Sequence, residues 1–210
     1  MTRELLNDRD ALVRFPPPAL DHGEHGYHEE DALAPLGRAL RSRVPWLLVN
    51  LLTAFLAAAV VAPFEGTIGR IAALAVFMPI IAGHGGNTGT QVATIVVRSL
   101  GTGRLRTQNL RAVLAREALF GLVHGLLAGA LTAAFALLLG QNLWLAAVVV
   151  VAMAGNVFAA GLAGSVIPLA LRRAGQDPAL ASSIWLTTFT DMFGFLLLLE
   201  LGTLLVTKLD

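Results

Sequence analysis

The stretch ALFGLVHGLLAGALTAAFALLLGQNLWLAAVVVVAMAGNVFAAGLAGSVIPLAL, residues 118–171, contains no Asp, Glu, Lys or Arg. A single helix of this length would be more than twice as long as a bilayer is thick, because each residue adds about 1.5 Å. The turn at Gly140-Gln141-Asn142 divides it into two membrane-spanning helices. The stretch therefore predicts an α-helical membrane protein rather than a β-barrel, whose strands are about ten residues long.

The composition of the whole chain points to the same class of protein. Of its 210 residues, 56% are apolar and 14% are charged, whereas soluble proteins carry about 25% charged residues. A formal net charge of +1 provides no basic face for a nucleic acid, so no nucleic-acid partner is expected. The absence of cysteine excludes disulfides, thiolate metal sites and cysteine catalysis. The expected surroundings are a lipid bilayer.

Five helices of spanning length are predicted, over residues 44–63, 71–97, 112–140, 143–171 and 179–205. If the N-terminus is cytoplasmic, this topology places 13 of the 15 Lys and Arg residues on the cytoplasmic side, as the positive-inside rule requires. The sequence therefore predicts an all-α, multi-pass protein of the cell (inner or plasma) membrane with an external C-terminus.

The polar region before the first span is predicted in two parts. Residues 1–30 are acidic and include three consecutive prolines, which indicates a disordered cytoplasmic tail. Residues 31–43 are predicted as a short basic amphipathic helix, which suits a membrane-surface anchor or a pore mouth. Three histidines of the tail suggest a transition-metal site as an alternative to a solvated low-complexity segment; they are His22, His25 and His28.

A carboxylate lies in the middle of the last predicted span. Asp191 is twelve residues beyond the start of that span, about 18 Å along the helix and close to the bilayer midplane. No basic residue in a predicted span is placed to neutralise it. A bound cation, water or a proton is therefore expected as its partner, and a protonated Asp191 that joins helices through hydrogen bonds is the alternative.

The second predicted span is interrupted by the polar run GHGGNTGTQ, residues 83–91. Such polarity at membrane depth requires a covering of protein or a water-filled cavity, and the glycines allow a close approach of another helix. Neutral oxygen ligands recur at four-residue spacing, so that most share one helix face: they are Asn87, Thr90, Gln91 and Thr94.

One carboxylate with hydroxyls, amides and carbonyls is an inventory for a hard cation, and Mg²⁺ fits it best. The same oxygens also accept Mn²⁺, Co²⁺, Ni²⁺ or Zn²⁺. A single aspartate per chain is little for a divalent ion. We therefore expect two copies of the chain to pair their Asp191 side chains at a twofold axis.

These segments resemble the MgtE family of magnesium channels and transporters. The resemblance covers residues 43–206 and rests on GHGGNTGTQ, with Pro79 before it and Arg98-Ser-Leu after it, and on TTFTD, which ends at Asp191. It implies a domain of five transmembrane helices over residues 44–210, a homodimer with a central pore, and a largely hydrated Mg²⁺ bound at Asp191. It also implies pore-lining or hydration-shell contacts from Gly86, Asn87, Thr90, Gln91 and Thr94, and from the carbonyl of Thr187.

The chain departs from the family pattern in two places. Typical members carry a helical N domain and paired CBS domains before the membrane domain, and the polar region of this chain is too short to contain them. The resemblance therefore predicts transport without CBS-type feedback gating. His84 stands where an apolar residue is commoner, and it is interpreted as a packed or mouth-facing neutral histidine, with an extra ligand as the alternative.

The remaining ionisable positions have simpler interpretations. Glu65 and Glu200 are possible cation sites at the outer mouth, and Asp177 is a possible inner site or a helix cap. Glu117 is expected to pair with a neighbouring arginine, with a place in the permeation path as the alternative. His124 is expected to pack or to form an interhelical hydrogen bond.

The sequence predicts a Mg²⁺ channel that is selective through paired Asp191 residues and is driven by the membrane potential. An exchanger coupled to H⁺ or Na⁺ at the same site is the alternative, and a non-transporting assembly subunit is a further one. No enzyme is expected, because a membrane hydrolase needs a nucleophile and a base within reach. The candidate nucleophiles lack a convincing histidine partner; they are Ser165, Ser182 and Ser183.

Overall fold

The computed structural model describes residues 35–102, 109–176 and 178–209, and this part of the chain is helical without a strand. The helices are α1 (Leu36–Val61), α2 (Glu65–Arg70), α3 (Ala73–Gly101), α4 (Leu110–Leu138), α5 (Leu143–Arg173), α6 (Pro178–Leu204) and α7 (Val206–Leu209), with a 3₁₀ turn at Ala62–Phe64. The predicted all-α class is therefore confirmed.

The helix boundaries differ from the predicted ones at the N-terminal side. α1 begins at Leu36 and continues without interruption through Pro45, so the predicted helix over residues 31–43 merges with the first span. The first four residues of that predicted helix, 31–34, and the tail of residues 1–30 lie outside the described residues. The connection between the first two predicted spans is also mostly helical, because α2 occupies Glu65–Arg70.

The turn that divides the long apolar stretch is at the predicted place. Gly140 adopts a φ of +78°, a left-handed conformation that glycine accepts without strain and that commonly ends a helix. Asn142 then caps α5, since its side-chain oxygen accepts a hydrogen bond from the Leu145 backbone N–H at 2.9 Å. Its amide also donates to the Lys208 carbonyl at 3.0 Å, which holds α7 against this turn.

Among the described residues, four segments are helical, long and apolar enough to cross a membrane: Leu36–Arg70, Leu110–Leu138, Leu143–Arg173 and Ala181–Leu204. α3 is also long enough, with 29 residues or about 43 Å, but the polar run in its middle lowers its hydropathy. α3 remains an unbroken helix through Pro79 and the glycines. Its polar run therefore consists of regular helix rather than irregular backbone.

The helices pack around α5. α3, α5 and α6 contact one another, α4 lies along α5, and α1 lies along α6. Small residues mediate the α4–α5 contact: a Cβ on Gly121 or Gly125 would lie 2.8 Å from backbone atoms of α5, and one on Gly129 would lie 3.0 Å from them. Glycines at four-residue spacing let two helix backbones approach closely in a membrane.

The apolar core lies where α3, α5 and α6 meet, and its fully buried members include Phe77, Ile81, Met153, Val157 and Leu198. Outward-facing side chains of α1 and α4 are also apolar; Leu47 is 62% exposed and Leu131 is 75% exposed. An apolar surface on both sides of a helix suits contact with lipid. The three central helices therefore position the polar residues described next.

Candidate cation site between α3 and α6

The glycine-rich face of α3 packs directly on the threonine-rich segment of α6. A Cβ on Gly86 would lie 3.5 Å from Thr190 Oγ1 and 3.6 Å from Thr187 Cγ2, and a Cβ on Gly89 would lie 3.2 Å from Leu186 Cδ2. The two sequence motifs that suggested an ion site are therefore neighbours in space. Both threonines are in ordinary van der Waals range of the Gly86 Cβ position, so the two helices lie side by side here.

A neighbouring face of α3, beside the one that packs on α6, carries an uncovered line of residues, which we call the polar stripe: Gly83, Asn87, Gln91 and Thr94. All four are exposed, whereas Thr88 and Gly89 beside them are buried. Thr90 lies at the border and is partly buried. The stripe is in the middle of a 29-residue helix, a depth at which lipid-facing side chains are normally apolar.

The hydroxyl groups of this region bond back to their own helices. Thr90 Oγ1 donates to the Gly86 carbonyl and Thr94 Oγ1 donates to the Thr90 carbonyl, both at 2.8 Å. Each hydroxyl oxygen then keeps its lone pairs for a further donor or a cation. The predicted hydroxyl and amide ligands of α3 are therefore available on the stripe and at its border, whereas the buried Gly86 already accepts the Thr90 hydroxyl at its carbonyl.

Asp191 is partly buried on α6, directly after the Thr190 that touches Gly86 and one turn after Thr187. In the described part of the chain, no Lys or Arg forms an ion pair with it. The Thr187 carbonyl already accepts the Thr190 hydroxyl at 3.1 Å, although a carbonyl oxygen has a second lone pair. The structure thus brings Asp191, Thr187 and Gly86 to one depth.

A cavity of about 270 Å³ lies between α3 and α6, on the side of Arg98 and Pro178. Four hydroxyl side chains line it, those of Thr90, Thr94, Ser182 and Ser183, and Arg98 also lines it. From the sequence, Ser182 and Ser183 were interpreted only as candidate nucleophiles. A signal was present, however, because Ser183, Thr187 and Asp191 recur every four residues and so share one face of α6.

Asn156 of α5 joins the two helices that carry these residues. Its side chain is fully buried, and Nδ2 donates to the Ile81 carbonyl of α3 at 2.8 Å. A Cβ on Gly85 of α3 would collide with the Asn156 amide, and one on Gly194 of α6 would lie 2.7 Å from its Nδ2. Nothing in the spacing of Asn156 along the sequence predicts its place in this packing.

Two of the three predicted mouth residues lie in the described part of the chain. Glu65 and Glu200 are both exposed, and they lie at the same end of the bundle because Thr67 of α2 and Thr203 of α6 share a hydrogen bond of 2.9 Å. Asp177 lies outside the described residues. Glu65 and Glu200 remain candidates for an outer mouth.

Glu117 lies on α4, where it packs against α5. Its Oε1 lies 3.9 Å from Arg116 Nε, and its backbone oxygen would lie 2.7 Å from a Cβ on Gly161 of α5. The expected pairing with a neighbouring arginine is confirmed. His124 forms the expected interhelical hydrogen bond, with His84 as its partner.

Comparison with known proteins identifies the family. Residues 78–201 match the family model of MgtE, described as a divalent cation transporter. The magnesium transporter MgtE of Thermus thermophilus is 38% identical over 170 residues, which are 79% of this chain and 36% of the relative. The magnesium transporter MgtE of Enterococcus faecalis is 32% identical over 84% of this chain and 39% of the relative.

A third relative, the magnesium transporter MgtE of Bacillus subtilis, is 28% identical over 80% of this chain and 37% of the relative. The chain thus matches little more than a third of the length of each of these relatives. The family model matches more than half of the chain and includes both the polar stripe and Asp191. This multi-pass membrane protein therefore belongs to the MgtE family of divalent cation transporters.

Proposed function

We propose that two copies of this chain form a channel that conducts Mg²⁺ through a pore at their twofold axis. In each copy, five helices span the cell membrane: α1, α3, α4, α5 and α6. The N-terminus lies in the cytoplasm and the C-terminus lies outside the cell. Asp191 binds the ion through its hydration shell, and the polar stripe of α3 positions that shell.

The observation that carries this proposal is the depth shared by Asp191 and the oxygen-bearing residues of α3. Thr190, next to Asp191, packs on Gly86, and Asn87 follows Gly86 on the exposed side of α3. Mg²⁺ keeps several of its waters and is usually held through one or two carboxylates. Amide and hydroxyl oxygens beside a carboxylate accept hydrogen bonds from those waters.

The exposure of the polar stripe supports the second copy. Asn87 and Gln91 are exposed on a helix of membrane-spanning length, and their amides would be costly against lipid. A twofold axis beside this face would cover both stripes with a shared aqueous pore. It would also supply the second carboxylate that one chain lacks.

The choice of ion is supported by the ligand chemistry and by the names of the relatives. The three curated relatives are magnesium transporters, and carboxylate, amide and hydroxyl oxygens favour hard cations such as Mg²⁺. Mn²⁺, Co²⁺, Ni²⁺ and Zn²⁺ also bind such oxygens. We therefore expect a preference for Mg²⁺ with some passage of these other divalent ions.

An exchanger would use the same residues in a different cycle. A lone carboxylate inside the membrane binds H⁺ or Na⁺ as well as Mg²⁺, so alternate occupation of Asp191 would couple two ion movements. The absence of an ion pair at Asp191 within the described residues is compatible with both mechanisms. The two differ in whether flux requires a gradient of the second ion.

The experiment is Mg²⁺ uptake into proteoliposomes at an imposed voltage, with equal pH and equal Na⁺ on both sides. A channel predicts uptake that rises with inside-negative voltage, because each charge gains about 2.3 kcal/mol per 100 mV. Uptake that appears only when an opposing H⁺ or Na⁺ gradient is added would replace the channel by the exchanger. No Mg²⁺ uptake under either condition would contradict the transport proposal itself.

A further inference from the structure

Two histidines from different helices face each other inside the bundle. His84 of α3 and His124 of α4 have their Nε2 atoms 3.0 Å apart. Their ring centroids are 4.9 Å apart, with 29° between the ring planes. Because the nitrogens are much closer than the ring centres, the two Nε2 corners point towards each other rather than past each other.

Within the described residues, each of these two nitrogens has only the other as a hydrogen-bond partner. Phe120 stacks on His124 with centroids 5.5 Å apart, which fixes the plane of that ring. The Thr88 hydroxyl donates to the backbone carbonyl of His84 at 3.0 Å, and not to its imidazole. Both histidines are partly exposed, and His84 directly follows Gly83 of the polar stripe, so water that covers the stripe can reach the pair.

We propose that His84 and His124 form a binding site for a borderline divalent cation such as Zn²⁺, Ni²⁺ or Co²⁺, separate from the oxygen site around Asp191. Imidazole nitrogen suits these ions, whereas Mg²⁺ prefers oxygen. With metal–nitrogen bonds of about 2.0–2.1 Å and a tetrahedral angle, two nitrogens lie about 3.3 Å apart. The two nitrogens therefore need to separate by only a few tenths of an ångström, and each ring needs to turn by about 35° so that its lone pair points at the metal rather than at the other nitrogen.

A metal ion can replace the hydrogen bond between the two histidines without loss of a proton from the pair. In the neutral pair one imidazole carries its proton on Nε2 and donates it to the bare Nε2 of the other. When both Nε2 atoms bind the metal, that proton moves to Nδ1 of the same ring, so both ligands are neutral. The described residues hold no group of three or more His, Cys, Asp or Glu side chains, and water completes the coordination.

The position of the site gives it a consequence for transport. His84 lies between Gly83 and Gly85 on the helix that carries the polar stripe, whereas α4 packs mainly on α5. A metal held by both histidines would tie α3 to α4 at this depth. We expect bound Zn²⁺ to reduce Mg²⁺ flux; this consequence rests on the proposed function, whereas the binding of Zn²⁺ does not.

The binding test uses the full chain with the tail histidines replaced, as His22→Gln, His25→Gln and His28→Gln. Purified protein competes for Zn²⁺ with a colorimetric chelator. Added replacement of His84 or His124 by Gln is expected to weaken Zn²⁺ binding more than about tenfold, since loss of even an outer-shell partner costs 10–100-fold. Glu117→Gln in the same background is the control, with Zn²⁺ affinity unchanged, because Glu117 pairs with Arg116 and lies outside both proposed sites.

A cysteine variant guards against an effect of folding. His124→Cys keeps a ligand of the kind that Zn²⁺ accepts and is expected to restore tight binding that His124→Gln lacks. Equal Zn²⁺ affinity in the tail variant with and without His84→Gln would overturn the site. So would loss of binding in the cysteine variant while its elution profile and melting temperature match those of the parent.

The flux test compares the fraction of Mg²⁺ uptake that remains at micromolar Zn²⁺, each variant relative to its own uptake without Zn²⁺. Inhibition is expected in the tail variant and is expected to be relieved at least about tenfold in Zn²⁺ concentration by His124→Gln. If His124→Gln weakens Zn²⁺ binding but the variant is inhibited at the same Zn²⁺ concentration as the tail variant, the proposed effect on transport is overturned. Absence of all Mg²⁺ uptake would contradict the proposed function, and the chelator measurement would still decide the histidine site.

Discussion

The side chain of Asn156 occupies the space that a Cβ on Gly85 would need. An ideal Cβ at Gly85 would lie 2.9 Å from Asn156 Cγ and closer still to its Nδ2, while that Nδ2 donates to the Ile81 carbonyl one turn earlier in α3. Gly194 of α6 approaches the same amide from the other side. One buried side chain of α5 therefore sets the distance between the two helices that carry the candidate ion ligands.

This relationship predicts strong coupling between the two positions. Gly85→Ala alone is expected to destabilise the protein by about 1–3 kcal/mol, because the methyl group overpacks a buried contact. Asn156→Ala alone loses a membrane hydrogen bond worth about 0.6 kcal/mol and leaves a void. In the double variant the new methyl group has room, so its cost is expected to fall by more than about 0.5 kcal/mol.

Unfolding of the four proteins in detergent measures this double-mutant cycle. Gly83→Ala is the matched control, since nothing lies within 4 Å of a Cβ at that position, and alanine in a helix is favoured over glycine by about 1 kcal/mol. Strictly additive effects of Gly85→Ala and Asn156→Ala would show that the two side chains do not share this space.

The polar stripe predicts a separation of transport from stability. Asn87→Leu is expected to lower Mg²⁺ flux about tenfold, since loss of one hydrogen bond of about 1–1.5 kcal/mol to the hydrated ion corresponds to that factor. The melting temperature is expected to stay the same or rise, because Asn87 is exposed and leucine is favoured in a membrane helix. Unchanged flux in a folded Asn87→Leu protein would remove Asn87 from the path.

The cavity between α3 and α6 predicts a steric block. Ser183 is exposed and lines this space of about 270 Å³, and Ser183→Leu would place an apolar group in it. An apolar constriction resists the entry of water and ions, so Mg²⁺ flux is expected to fall by at least about tenfold. Ser183→Ala is the size-matched control and is expected to retain most of the flux; equal loss in both would mean that the hydroxyl matters rather than the added bulk.

Glu117 is predicted to be outside the permeation path. Its partner Arg116 is 85% exposed at 3.9 Å, and such a pair contributes about 0–1 kcal/mol. Glu117→Gln is therefore expected to change the melting temperature little and to leave the Mg²⁺ concentration for half-maximal flux unchanged. A several-fold rise in that concentration would place Glu117 among the ion contacts.

The helical architecture could be predicted from the sequence because its signals are local. The charge-free stretch over residues 118–171 and the Gly140-Gln141-Asn142 turn determine where α4 ends and α5 begins, and the structure has both at the predicted place. The continuity of α1 with the helix predicted before residue 44 was not predicted, because a helix that runs on from polar into apolar sequence gives no local signal at the boundary. The helix α2 was not predicted either, because its six residues are too few to show a periodic pattern.

The candidate site was predictable only in part. Asp191 stands out because a charge in a membrane span is costly, and the α3 ligands stand out through their spacing. Asn156 and the His84–His124 pair depend on contacts between helices that are far apart in sequence, and nothing in the spacing of a single segment reveals such contacts. Ser183 was missed although its four-residue spacing from Thr187 and Asp191 was visible.

Transport without CBS-type feedback gating remains a prediction of the sequence, and so does the alternative of a metal site in the tail. The tail histidines lie outside the described residues, and the structure of α1 from Leu36 onward does not bear on them. A comparison of Mg²⁺ flux at low and millimolar internal Mg²⁺ measures the first. Deletion of residues 1–30 measures the second through metal-dependent transport.

The most direct test of the central claim is voltage-driven Mg²⁺ flux through Asp191→Asn, which keeps the size of the side chain and removes its charge. Two charged contacts worth about 1.5–3 kcal/mol each would be lost in a dimer, so flux is expected to fall at least about a hundredfold while the protein keeps its elution profile and melting temperature. Mg²⁺ flux in Asp191→Asn equal to that of the unaltered protein would contradict the assignment of Asp191 as the residue that binds the ion.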